Sequence, residues 1–131
     1  MIEASTITLY GIPQCDQVKK ARAWLTTHAM PHLFYDFKKA APTPEMIDTW
    51  INITGWEVLI NRKGTTWRAL DEARKTAIVD ATQATRLMIE FSSVIKRPVL
   101  QRGAQVLVGF DPHVYQSLLN PQTLSAIAHH E

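Results

Sequence analysis

The sequence predicts an α/β domain ordered β-α-β, then a helical block, then β-β-α. Three observations predict it. Polar and apolar residues alternate over Thr6-Ile7-Thr8-Leu9-Tyr10, then give way at Gly11 and Pro13 to a helical period. A second apolar run, Leu33 to Phe37, follows once Pro31 has stopped that helix. Near the C-terminus two short apolar runs flank an Arg102-Gly103 turn and lead into a last amphipathic helix.

From Asp16 the apolar positions Val18, Ala21, Leu25 and Ala29 share one helical face, with Lys19, Lys20 and Arg22 mostly off it. Leu33 to Phe37 reads as a buried strand, parallel to the first with a right-handed crossover. Thr43-Pro44-Glu45 is a helix start, and Met46, Ile47, Trp50 and Ile51 follow on one face. Gly55 interrupts, Trp56 to Asn61 reads as a short helix, and Gly64-Thr65-Thr66 as a loop. Leu87, Met88, Phe91, Val94 and Ile95 give another amphipathic helix that ends before Pro98. Val99-Leu100 and Val106-Leu107-Val108 form the hairpin. Val114, Tyr115, Leu118 and Leu119 form the apolar face of the closing helix, and the end around His129 and His130 is expected to fray.

The 131 residues suit one domain, 1–131, with helices inserted over about 43–96. A net charge of +2 gives no footprint for nucleic acid, and fits a small anion or a thiolate. No apolar run is long enough for a membrane span, and the N-terminus lacks the pattern of a secretory signal. One cysteine forms no internal disulfide, so a cytoplasmic location is expected. The five histidines show no metal-ligand spacing, and no metal is assigned.

The single thiol, Cys15, stands in "YGIPQCDQVKK", where the first strand ends and the first helix begins. A thiolate is the reactive form of cysteine. The unpaired N–H groups and positive dipole end of a helix favour it and also suit an anionic substrate. Lys19, one turn on, adds positive charge, and Asp16 opposes it. By local sequence alone an inert buried thiol fits equally, because cysteine is among the most buried residue types. The Gly-Pro loop and the strand-to-helix position favour the reactive reading. Val18 occupies the place of a second cysteine three residues on, so any redox cycle must borrow an external thiol.

Without its helical block the predicted order is that of the thioredoxin and glutaredoxin folds, whose reactive cysteine follows the first strand. The chain resembles the ArsC/Spx family of thioredoxin-fold proteins, and most nearly its YffB-like, ArsC-like reductase subgroup. The resemblance rests on "LYGIPQCDQVKKARAWL", "LINRKGTTWRAL" and "VIKRPVLQRGAQVLVGF", in that order and spacing. It implies Cys15 as nucleophile, Arg62 and Arg97 as ligands for an oxyanion and stabilisers of the thiolate, and a cis Pro98 facing the cysteine. Lys19 and Pro98 are then substrate-binding candidates. No bound cofactor is implied, and glutathione is the expected co-substrate, with glutaredoxin as a further partner.

The chain departs from the arsenate reductases of this family at two places. Val108-Gly109-Phe110 stands where they have a third arginine, and Gly11-Ile12 where they have a His-Asn pair. The resemblance therefore implies a glutathione- or glutaredoxin-coupled thiol reductase first, and arsenate reduction second. A third reading is a non-enzymatic regulator that contacts RNA polymerase, as Spx-type members do. Without the resemblance, Arg62 and Arg97 read as surface residues, as Arg68, Arg74, Arg86 and Arg102 do, with Arg102 a reserve candidate because it lies near Pro98. Trp24, Trp50, Trp56 and Trp67 read as packing.

Overall fold

The computed structural model describes residues 6–119. β1 (Ile7–Gly11), α1 (Asp16–Thr27) and β2 (His32–Asp36) form the first unit, and the two strands pair in parallel. α1 buries Val18, Ala21 and Leu25, the positions its period marks. Ala29 does not join them: the helix ends at Thr27, and Ala29 is an exposed turn residue at φ 56°. β2 is not the buried strand its apolar run suggests. It lies at one edge of the sheet, and Leu33 is 62% exposed.

The helical block begins with α2 (Pro44–Thr54) as predicted. Thr43 Oγ1 accepts from the Met46 N–H at 3.2 Å, and Pro44 takes the first position, where no N–H is needed. α3 (Trp56–Leu59) stops short of Asn61, because Ile60 leaves the helix for an antiparallel bridge to Ile95. α4 (Thr65–Ala69) occupies a stretch that begins as a loop in the sequence reading, and buries Trp67. α5 (Glu72–Ala77) is capped by Asp71, which accepts from the Arg74 N–H at 2.8 Å. α6 (Ala81–Glu90) is capped in the same way by Asp80 and buries Ala84, Leu87 and Met88. It ends at Glu90 rather than running on toward Pro98, since Ser92–Val94 form a 3-10 turn and Ile95 pairs with Ile60.

β3 (Val99–Arg102) and β4 (Gln105–Val108) form the predicted hairpin, followed by α7 (Pro112–Leu119). The sheet order is β2-β1-β3-β4, with β3 antiparallel to both neighbours. This is a thioredoxin-like frame carrying helices between β2 and β3. Alternate strand residues feed two cores. Tyr10 and Val99 pack with Trp50, Leu59 and Met88 of the helical block. Leu9 and Leu100 pack with Val18 and Leu25 of α1 and with Tyr115 and Leu119 of α7. Only half of the expected α7 face is buried, for Val114 and Leu118 stay exposed. The end around His129 and His130 lies outside the described residues. No helix among those residues is long and apolar enough to cross a membrane.

The second core holds a polar atom without a hydrogen-bond partner among the described residues, the Tyr115 hydroxyl. Burial holds its proton well above the ordinary value of 10.0. Tyr10 is raised as well, by burial and then by Tyr35, against a lowering hydrogen bond with Thr8. The native state thus keeps phenolic protons that the unfolded chain loses near pH 10. Stability is unaffected below that pH and falls above it, by about 1.4 kcal/mol per pH unit for each such group until the native phenol also ionises. Tyr115→Phe is expected to stabilise the fold by about 1 kcal/mol at neutral pH, by removing an unsatisfied hydroxyl. It should also flatten the decline between about pH 10 and 11. Urea titrations across that range check both, and an unchanged decline would exclude Tyr115 as its source.

Candidate active site

The β1–α1 junction sets the thiol. A Cβ on Gly11 would lie 2.6 Å from Val18 Cγ2, so the last residue of β1 and the first buried residue of α1 sit closer than any side chain permits. The loop between them closes through the Cys15 N–H, which donates to the Ile12 carbonyl at 3.3 Å. Cys15 is the N-cap of α1, extended at φ −75° and ψ 127°, and its carbonyl accepts the Lys19 N–H at 2.9 Å. Its side chain makes no capping hydrogen bond. The sulfur-bearing residue is half-buried against the α1/α7 core, with exposed Asp16 and Gln17 beside it in the first turn.

Strand register brings the second segment to the same end of the sheet. Tyr10 is opposite Val99, so Gly11 falls level with Pro98, whose bond to Arg97 is cis. On the other side the Gly109 N–H donates to the Pro98 carbonyl at 2.7 Å. A groove of about 550 Å³ opens here, with Gln17, Lys96, Arg97 and Asp111 among its polar lining. Cys15 is not in the groove wall but two residues before Gln17. Lys96 and Arg97 have no hydrogen bond or ion pair from their side chains among the described residues. Gly109, at φ 82°, leaves room for the Lys96 stem, whose Cε would stand 3.2 Å from a Cβ there. Lys96 and Gln17 escape sequence reasoning because only the register and the helix start bring them together.

The ArsC family profile matches residues 10–118. The chain belongs to the ArsC family. A solved structure of a protein named YffB is 46% identical with a TM-score of 0.81, covering 86% of this chain and 97% of that one. An arsenate reductase (ArsC) related protein from Brucella melitensis is 43% identical with a TM-score of 0.70, covering 86% and 92%. An uncharacterized protein from Haemophilus influenzae is 38% identical over 111 residues, which is 85% of this chain and 96% of that protein.

In this ArsC-family chain the candidate residues come from the β1–α1 junction, the α3–α4 connection and the segment before β3. Cys15, Pro98 and Arg97 gather at one end of the sheet. Lys19 is exposed one turn into α1. Arg62 stands in the connection between α3 and α4. Residues 59–61 run antiparallel to 94–96 through the Lys96 N–H to Leu59 carbonyl bond and the Asn61 N–H to Val94 carbonyl bond. That pairing runs the chain at Arg62 toward residue 93 rather than toward Arg97. The Arg62 guanidinium lies 5.6 Å from the Trp67 ring centre and 6.0 Å from that of Trp56, as a cation–π contact. Arg102 is at the far end of β3 and donates to the Leu118 carbonyl at 3.5 Å, so its closeness to Pro98 in sequence is not closeness in space.

These placements give the two arginines different weights. Arg97→Ala is expected to weaken binding of glutathione or an oxyanion about ten- to a hundredfold, the loss of one charge-assisted hydrogen bond. Arg62→Ala should change that binding less than Arg97→Ala does. Binding of glutathione by calorimetry checks the pair, and equal losses would mean that Arg62 reaches the groove when ligand is bound.

Proposed function

We propose that the chain is a thiol reductase with Cys15 as its only nucleophile and an external thiol, glutathione or glutaredoxin, as resolving partner. One observation carries this reading: the sole cysteine occupies the N-cap position of a helix at the end of the sheet where Arg97 and Lys96 stand unpaired among the described residues. The Cys15 thiolate attacks the glutathione sulfur of a mixed disulfide. An S–S bond forms between Cys15 and glutathione, and the substrate leaves as a thiolate that takes up a proton. A second glutathione thiolate then attacks the same glutathione sulfur, releasing Cys15 and forming glutathione disulfide. Arg97 and Lys96 offset carboxylate charge on glutathione during both attacks.

Arsenate makes a stronger demand on the same groove. It carries more than one negative charge near neutral pH, and the attacking sulfur carries another. Like charges in a partly desolvated site need fixed cations around them. Two are available here, with Asp111 opposing them, and Val108-Gly109-Phe110 supplies none. A glutathione mixed disulfide is therefore expected to turn over about ten- to a hundredfold faster than arsenate. Steady-state rates with glutathione and glutaredoxin supplied decide this. Arsenate turnover equal to that of the disulfide would reverse the order of the two readings.

A further inference from the structure

The open edge of β4 is a feature that the chemistry of Cys15 leaves unused. Register shows which of its backbone groups face outward. The Gly109 N–H to Pro98 carbonyl bond makes 98 and 109 a hydrogen-bonded pair. Bonded and non-bonded pairs alternate along an antiparallel ladder. Leu100 with Leu107 and Arg102 with Gln105 are then bonded, while Val99 with Val108 and Gln101 with Val106 are not. The N–H and C=O groups of Val106 and Val108 consequently point away from β3, and among the described residues no strand follows β4 in the sheet. Those four groups have no hydrogen-bond partner among the described residues.

Open edges are ordinarily blunted by charge, proline or a bulge. The opposite edge is treated in this way: Pro31 precedes β2, Asp36 ends it, and the Arg22 guanidinium lies 4.3 Å over the Phe34 ring. The four residues of β4 include neither a charge nor a proline. The strand instead borders the groove, whose walls include exposed Val58 of α3 and Val114 of α7. Toward Pro98 the groove carries the unpaired cations of Lys96 and Arg97. Its one carboxylate, Asp111, accepts from the His113 N–H at 2.9 Å and leaves the two cations in excess by one charge.

We propose that β4 receives an extended acidic segment of a partner protein as a fifth strand. The backbone of that segment pairs with Val106 and Val108, and its carboxylates meet Lys96 and Arg97. Apolar side chains of the added strand lie against Val58 and Val114. This names a partner class for the end of the sheet where Cys15 stands, yet binding does not require Cys15 to react.

The test uses the full-length Cys15→Ser protein and a blocked nonapeptide of alternating valine and threonine with two glutamates at each end. Amide hydrogen exchange by NMR is expected to slow at Val106 and Val108 by about tenfold or more on binding. The same peptide N-methylated at alternate residues should not bind. A version with lysines for glutamates, and the glutamate peptide with Lys96→Glu protein, should each bind about tenfold more weakly. Binding without protection of the two amides, or equal binding by the lysine peptide, overturns the proposal. Protection that appears without peptide, together with a doubled mass, places a second copy on this edge and overturns it too. Turnover of glutathione mixed disulfides by the unaltered protein reads the reductase function separately, so either idea can fail alone.

Discussion

Cys15→Ser is expected to abolish glutathione-dependent turnover, lowering the rate by about a thousandfold or more while the fold remains intact. The reason is chemical rather than structural. Serine fits the N-cap as well as cysteine and can accept a helix N–H, so the β1–α1 junction should hold or tighten. A hydroxyl is not ionised at neutral pH and cannot form the mixed disulfide that the cycle needs. With one cysteine in the chain, nothing else can stand in. Rates for the variant and the native protein, with circular dichroism as the control on folding, settle the matter. Residual turnover within about tenfold of native would remove Cys15 from the mechanism. If native turnover is also absent and the variant captures RNA polymerase from cell extract, the regulatory reading takes its place.

Trp50→Ala is expected to destabilise the protein by about 3–5 kcal/mol. Trp50 is fully buried on the inner face of α2. It meets the Tyr10 ring edge-on at 4.9 Å, and its indole N–H donates to Gln101 Oε1 at 3.0 Å. One side chain thus joins α2 to β1 and to β3. The loss is a large part of the whole margin of about 5–15 kcal/mol that a small domain has. A fall in melting temperature of about 10–20 °C follows for a chain of this size. Trp50→Phe keeps most of the apolar area and should cost less than half as much. Thermal unfolding checks the series, and a drop below about 1 kcal/mol for alanine would mean that the helical block is not anchored to the sheet by this residue.

The parts of the fold that repeat a local period are the parts the sequence reveals. β1, α1, α2, the hairpin and the burial of Tyr115 and Leu119 on α7 belong to this group. β2 misleads because its apolar run has local causes. Phe34 lies beneath Arg22, and Tyr35 and Phe37 pack on Tyr10, so the run is apolar although it forms an edge. Helix α4 is hidden because it is five residues long, follows a glycine N-cap and depends on the tertiary burial of Trp67. The end of α6 depends on Ile95 finding Ile60, thirty-five positions away in the chain, and no window of sequence contains that pairing. At the site, Cys15 is legible from a helix start and Arg97 and Pro98 from a motif. Lys96 is not, because its place depends on the path of the chain past Gly109.

The pairing of residues 59–61 with 94–96 ties one wall of the groove to a part of the chain that bears no reacting atom. Thr54 and Val58 form that wall, at the joint between α2 and α3. The sulfur is placed by a different contact, between Gly11 and Val18. In the proposed reductase, choice of guest and power to react then lie on separately variable segments. A descendant of this chain could change what it admits by reshaping the α2–α3 joint, and leave the cysteine untouched. The Gly11 position has less freedom, since an added methyl would stand 2.6 Å from Val18 Cγ2 and oblige that buried side chain of the cysteine helix to shift.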